Sequence, residues 1–239
     1  MANFNTHLIT ASTISGIAAT ALFGVGVLSG EEALLNFALG SVGGLLPDLD
    51  SDNSIIVKAM FSVIAVIIAF MTVFRLSTIL FIAEMMLAWL AAFIVVYFIG
   101  FGIFKRFTVH RGIFHSIPAG VLFGFIIIFV FSEVLYFPSL SAWMTGFFVM
   151  IGYLVHLILD EIYSVDLANQ KIKRSFGSAL KLWQSDNIPG TVIVYSIILV
   201  GFFLLPPAQP FVDTIFNPAL IATFKERLLP ANSWFIQLR

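Results

Sequence analysis

Long apolar segments constrain this chain more than any other feature of its sequence. Residues 117–137, for example, read IPAGVLFGFIIIFVFSEVLYF and contain one charged residue, Glu133. Of all 239 residues, 60% are hydrophobic and only 10% are charged, whereas roughly 25% are charged in soluble proteins. Because a helix of roughly 20 apolar residues crosses a bilayer and satisfies its own backbone hydrogen bonds there, the sequence predicts an integral membrane protein.

The apolar runs predict an all-α fold, a polytopic transmembrane helical bundle. They are continuous, whereas the strands of a membrane β-barrel alternate apolar and polar residues over roughly 10 positions. About seven hydrophobic segments cover residues 8–28, 33–46, 55–74, 76–104, 117–137, 142–163 and 191–205. We expect residues 1–205 to form the helical membrane domain and residues 206–239 a C-terminal tail that includes an interfacial helix.

Basic residues predict the orientation of the bundle. They cluster in two connections between segments, formed by Lys105, Arg106 and Arg111 and by Lys171, Lys173, Arg174 and Lys181. The positive-inside rule places both connections in the cytoplasm. Counting back along the segments places residues 45–54 on the same face, and the N-terminus as well if residues 33–46 cross the membrane.

The overall charge and the absent residue types exclude several function classes. The net charge is −1, so no nucleic-acid partner is expected. There is no cysteine, which excludes disulfides and thiolate metal sites. The chain has neither the H-E-x-x-H motif of zinc proteases nor the G-x-S-x-G motif of serine esterases.

Acidic residues concentrate in the stretch LLPDLDSDNS, where Asp48, Asp50 and Asp52 fall within five positions. Clustered carboxylates repel one another, and a divalent cation would neutralise them. In the predicted topology the aspartates share a membrane face with all four histidines of the chain, His7, His110, His115 and His156. Imidazole and carboxylate groups together are the usual ligands of Zn, Mn or Fe. A solvated acidic turn is the alternative for this stretch alone.

Two local motifs carry most of the predicted chemistry. In GYLVHLILDE, His156 and Asp160 share one helix face at i, i+4 spacing, which favours either metal ligation or a simple hydrogen-bonded pair. Glu161 beside them is a candidate general base or outer-shell group.

In the second motif, HRGIFHS, the glycine permits a tight loop that brings His110 and His115 together. Arg111 there offers a planar fork for phosphate, or merely follows the positive-inside rule.

A third motif, KIKRSFGSALKLW over residues 171–183, predicts an amphipathic helix. Its apolar residues recur at helical spacing with basic residues opposite, as in helices that lie on an anionic membrane surface. Such a helix would favour membrane lipids as partners and a lipid or lipid-linked substrate. An ordinary basic loop explains the same residues.

Four motifs in order, THLIT, GGLLPDLD, HRGIFHS and GYLVHLILDE, resemble the YdjM family over about residues 5–165. The family consists of bacterial inner-membrane proteins described as metal-dependent hydrolases, so the resemblance implies that location and activity. It also implies a distant relation to zinc-dependent phospholipase C and P1-type nucleases. The chain departs from the family at Ser51, often His or Pro there, and at the stretch EIYSVDLANQ. The motif positions fall on His7, Asp48, Asp50, His110, Arg111, His115, His156 and Asp160.

The implied ligand set predicts the number of metal ions. His7, Asp48, Asp50, His110, His115, His156 and Asp160 exceed the four ligands of one tetrahedral zinc. They suit two divalent ions about 3.5–4 Å apart, which clamp a phosphoester and activate water. We expect zinc, or else manganese or iron, with Arg111 steadying the phosphate.

Two other function classes fit the same residues. Transporters and metal-ion carriers also use intramembrane His and Asp, although their sites tend to lie at mid-bilayer within repeats. A non-catalytic membrane protein with a closed structural metal site is the second alternative.

Overall fold

The computed structural model describes residues 3–50, 55–100, 102, 115–166, 171–172, 180–183 and 185–229. The described residues divide into two compact units, one within residues 1–46 and 115–239 and the other within residues 47–114. In chain order the helices are α1 (Phe4–Gly24), α2 (Gly30–Gly43), α3 (Ile55–Leu76), α4 (Ile82–Ile94), α5 (Ile117–Phe129), α6 (Ser139–Ser164), α7 (Ile188–Leu204), α8 (Gln209–Ile215) and α9 (Pro218–Leu228).

Short elements complete the described structure. 3-10 turns cover Leu46–Asp50 and Ser185–Asn187, and π-helical turns extend α4 over Val95–Gly100 and α5 over Val130–Val134. Two-residue strands, β1 (Val165–Asp166) and β2 (Lys171–Ile172), pair antiparallel.

In the first unit, α1, α2 and α5 pack against α6. The inward face of α6 carries large side chains that are fully buried, among them Phe148, Tyr153 and Leu157. The helix starts follow from their caps. Ser29 and Glu32 form a capping box at α2, and the Ser116 hydroxyl accepts a hydrogen bond from the backbone of Ala119 at α5, as expected of N-cap serines.

Glycines allow α2 and α6 to touch through their backbones. A Cβ atom added to Gly152 of α6 would overlap the carbonyl oxygen of Gly40 on α2, and one added to Gly43 would overlap that of Val149. Small residues at such contacts are typical of helix pairs in membranes. The glycines of residues 33–46 therefore fix the position of α2 against α6.

In the second unit, α3 packs against α4. The rings of Trp89, Phe93 and Tyr97 stack at one-turn spacing along α4 and its π-helical extension, and Phe70 of α3 contacts Trp89 in an edge-to-face arrangement. Such aromatic contacts add to the apolar burial that joins the two helices.

The all-α class is confirmed, but the prediction of seven segments is not. Four described helical stretches are long and apolar enough to cross a membrane, namely Phe4–Gly24, Ile82–Gly100, Ile117–Val134 and Ser139–Ser164. The pair α7 and α8, bent by 94°, makes a fifth if it forms one broken span. The 14 residues of α2 reach only about 21 Å, too short for a hydrocarbon core of about 30 Å.

The predicted amphipathic helix over residues 171–183 is wrong at its described ends. Lys171 and Ile172 form β2, which pairs with β1, so these two residues are extended and not helical. Residues 180–183 are not helical either, and residues 173–179 lie outside the described part of the chain. In the tail, helix α9 covers Pro218–Leu228. Its interfacial position and the division at residues 205 and 206 stay predictions.

Glu32 gives this bundle an expected pH dependence. The Ser141 hydroxyl donates to its carboxylate at 2.6 Å. This bond first, and then the backbone N–H of Ser29, hold the Glu32 pKa below its ordinary value of 4.5. The resulting stabilisation is present above that value and is lost as the pH falls through the lowered pKa. We therefore expect Ser141→Ala to lower stability by about 1 kcal/mol at pH 7 and by much less at pH 3.

Thermal unfolding of the detergent-solubilised protein at the two pH values tests this. Ser77→Ala is the control, because the Ser77 hydroxyl donates to the Phe74 carbonyl, a group that does not titrate. An equal loss of stability in Ser141→Ala at both pH values would contradict the role of Glu32.

Candidate metal centre

Helix periodicity points three polar side chains into the first unit. His7 lies on the inward face of α1 with Ala11, Ser15 and Ala19, at a spacing of four residues. His156 and Asp160 lie one turn apart on α6, and both are buried. Four-residue spacing repeats on one face of a helix, which explains why these residues point inward. His115 reaches the same place from the residue directly before the N-cap of α5.

Three imidazoles converge on the carboxylate of Asp160. The Nε2 atom of His7 lies 3.3 Å from Oδ1, and the Nε2 atoms of His156 and His115 lie 3.6 Å and 3.7 Å from Oδ2. The side chain of His156 is 0% exposed, that of His7 1%, that of Asp160 4% and that of His115 12%. We call His7, His115, His156 and Asp160 the His–Asp cluster.

The backbone of Gly44 fixes the tautomer of His156. Its carbonyl oxygen lies 2.7 Å from Nδ1 of His156. A carbonyl can only accept, so Nδ1 carries the hydrogen, and in the neutral ring Nε2 presents its lone pair to the cluster. A backbone carbonyl on the far nitrogen is a usual partner of a metal-binding histidine, because it fixes the ring and raises its basicity.

His7 and His156 stack face to face, with ring centroids 3.6 Å apart and an interplanar angle of 12°. Two imidazolium ions at this distance in a buried site would repel strongly. The neutral form of imidazole is the one that binds metals.

The spacing of His7, His156 and Asp160 suits three ligands of one metal ion. Zinc bonds of about 2.0–2.1 Å to nitrogen and oxygen place the ligand atoms of a tetrahedron about 3.4 Å apart. The three Nε2–carboxylate distances of 3.3–3.7 Å are close to this spacing, and all exceed the 2.7–3.2 Å range of N–H···O hydrogen bonds. Donor atoms of His7, His156 and Asp160 lie within 4.8 Å of one another. Both ring nitrogens of His7 are buried without a hydrogen-bond partner among the described residues.

Five further residues were predicted for the site. Asp48 and Asp50 lie in the 3-10 turn Leu46–Asp50 and belong to the second unit. His110 and Arg111 fall outside the described residues. Glu161 follows Asp160 on α6, about 100° further around the helix. The site roles of all five stay predictions.

Sequence reasoning assigned no role to Gly44 and Gly152. Gly44 holds His156 through its carbonyl, and Gly152 lets α2 approach α6 closely enough for that contact. The available signal was the position of Gly152, four residues before His156 on the same helix face. Nothing in a sequence marks the carbonyl of Gly44 as an acceptor.

A comparison with protein families agrees with the family resemblance. The sequence model of the family described as YdjM inner membrane protein matches residues 1–170. No curated protein and no solved structure matches significantly. Together with the apolar helices, the family match identifies a multi-pass protein of the inner membrane. The chain belongs to the YdjM inner membrane protein family.

Proposed function

We propose that the protein is a metal-dependent hydrolase that cleaves a phosphoester, in a lipid or lipid-linked substrate. The observation that carries the proposal is the convergence of three imidazole Nε2 atoms on the buried Asp160 carboxylate at 3.3–3.7 Å. Both ring nitrogens of the buried His7 have no hydrogen-bond partner among the described residues, and a bound ion would supply one, because buried polar groups require partners.

In this proposal the His–Asp cluster holds the ion, with zinc as the expected metal. A bound divalent ion supplies a Lewis acid for the phosphoryl group and makes water a better nucleophile at neutral pH. Asp160 contributes the negative charge among the ligands. The Gly44 carbonyl keeps His156 in one tautomer and one orientation, and such outer-shell support is needed for full affinity.

Unequal burial suggests the side from which substrate enters. His7 and His156 are almost fully enclosed, whereas His115 is 12% exposed. We therefore place the reacting phosphate on the His115 side. Arg111, four residues earlier in the chain, would bind it as a bidentate donor, and Glu161 would take up the proton of the attacking water. The second ion, if present, would use Asp48, Asp50 and His110.

The position of the cluster along the helices favours a hydrolase over a transporter. His7 lies in the first turns of α1 and Asp160 one turn before the end of α6. The site therefore lies near one end of two candidate spans, whereas transporter sites lie near mid-bilayer. The basic connections would place that end in the cytoplasm.

Arg111→Gln tests the proposal through its substrate step. We expect it to lower kcat/KM about 30- to 150-fold, since a charged hydrogen bond contributes roughly 2–3 kcal/mol, while metal content stays unchanged. The assay uses purified protein with zinc or manganese, a bis-aryl phosphate and a phospholipid in mixed micelles. Lys225→Gln, which removes a positive charge near the end of α9, is the control.

The outcomes separate the alternatives. Hydrolysis that depends on metal and falls in Arg111→Gln supports the proposal. Bound metal without hydrolysis of either ester would favour a structural metal, and active protein stripped of metal would contradict the proposal.

A further inference from the structure

A groove runs along the outer face of α1 at the end away from the His–Asp cluster. It encloses about 650 Å³ and is lined by α1 between Ser12 and Val25 and by the last turn of α9. The α1 wall is about 20 Å long at about 1.5 Å per residue. His7 lies on the opposite, buried face of α1, about 7–8 Å along the helix axis from Ser12 and about 25 Å from Gly24, so the groove is separate from the cluster.

The groove is apolar along its length and positively charged at one end. Ile17 and Ala21 of α1 and Phe224 and Leu228 of α9 form its apolar lining. Arg227 lies at the Gly24 end, where its Nη1 donates to the Gly24 carbonyl at 2.7 Å. A cation at a helix C-terminus also complements the helix dipole. Guanidinium has five N–H donors, and this bond uses one.

We propose that the groove binds one anionic phospholipid, with an acyl chain along α1 and the headgroup phosphate on Arg227. Helix α1 is a candidate membrane span, so its outer face meets lipid tails and Gly24 lies where a span reaches the headgroups. Arg227 is thus placed where an arginine would meet a phosphate, and the fork of its guanidinium matches phosphate oxygens. This inference does not rest on the proposed hydrolase activity.

A second helix is a less suitable occupant. Ser12, Gly16, Thr20 and Gly24 do form a stripe of small residues at a spacing of four, a pattern seen at membrane helix contacts. However, a partner helix over this face would cover the exposed Arg227 guanidinium, which is costly unless the partner supplies a paired charge. A phospholipid supplies that charge itself.

Native mass spectrometry of the full-length protein in detergent, titrated with phosphatidylglycerol or phosphatidylcholine, tests the assignment. We expect one tightly retained phosphatidylglycerol per chain and weaker retention of phosphatidylcholine. Arg227→Gln should weaken phosphatidylglycerol binding about fivefold or more and leave phosphatidylcholine unchanged. Lys225→Gln is the matched control, because Lys225 does not line the groove, and it should bind like wild type.

A second pair of variants fills the groove without disturbing the fold. A Cβ on Gly24 meets no atom within 4 Å, and neither does one on Gly30 at the start of α2, outside the groove. We expect Gly24→Leu to weaken binding of both lipids and Gly30→Leu to have no effect. Equal phosphatidylglycerol binding in wild type, Arg227→Gln and Gly24→Leu would overturn the proposal. So would a lipid-free complex of two chains that Gly24→Leu dissociates, which would make this face a dimer contact.

Discussion

Asp160→Asn is expected to abolish tight metal binding and, with it, hydrolysis. The amide nearly matches the carboxylate in shape, so the bundle should still fold. The substitution removes the one negative charge that all three imidazoles approach. Loss of an outer-shell partner alone costs about 10- to 100-fold in metal affinity, and we expect loss of this ligand to cost at least about 100-fold. A zinc titration of the apo protein with a competing chelator measures the change.

The control for Asp160→Asn is Asp213→Asn. Asp213 accepts a hydrogen bond from Gln209 on the exposed helix α8, so the same chemical change occurs outside the His–Asp cluster. It should leave zinc affinity as in wild type. Zinc affinity in Asp160→Asn within a factor of about 3 of wild type, below the outer-shell range, would remove Asp160 from the ligand set.

Gly152→Ala is expected to destabilise the first unit strongly. The added Cβ would overlap the carbonyl oxygen of Gly40 and lie 2.8 Å from the backbone nitrogen of Gly44. Backbone atoms cannot yield as a flexible side chain can, so α2 must shift away from α6. Overpacking of this kind costs about 1–3 kcal/mol and sometimes more, and we expect the upper end. At about 2–4 °C per kcal/mol, the melting temperature should fall by about 6–12 °C.

The shift should also weaken metal binding, because Gly44 orients His156 through its carbonyl. Gly201→Ala is the control. It adds the same methyl group within the apolar helix α7, where the nearest side-chain contact is an ordinary 3.7 Å to Phe125. That substitution should be neutral or stabilising, since alanine favours helix. A melting temperature of Gly152→Ala equal to that of wild type would show that the two backbones can separate at no cost.

The sequence allowed correct prediction of the helical class and of the pairing of His156 with Asp160. Both depend on local patterns, namely apolar run length and i, i+4 spacing. The number of spans was overestimated because apolar composition does not separate a span from a short helix such as α2. That helix is held by backbone contacts to α6, and such contacts depend on tertiary packing.

Other features of the site were beyond local patterns. His7 lies about 150 residues before His156 in the chain. Only the predicted topology and the family resemblance indicated that the two would meet. Their stacking at 3.6 Å depends on how α1 packs against α6. The strand at Lys171 and Ile172 was missed because its partner β1 follows α6 directly, and a two-residue pairing has no detectable periodicity.

Metal content by elemental analysis is the most direct test of the His–Asp cluster. Detergent-purified wild type, His7→Ala and His156→Ala would be compared after identical loading with zinc and removal of excess ion. We predict at least one tightly held zinc per wild-type chain, lost in both variants although the two histidines lie on different helices. Wild-type protein without metal after loading, or retention of metal in both variants, would contradict a metal centre built from these residues.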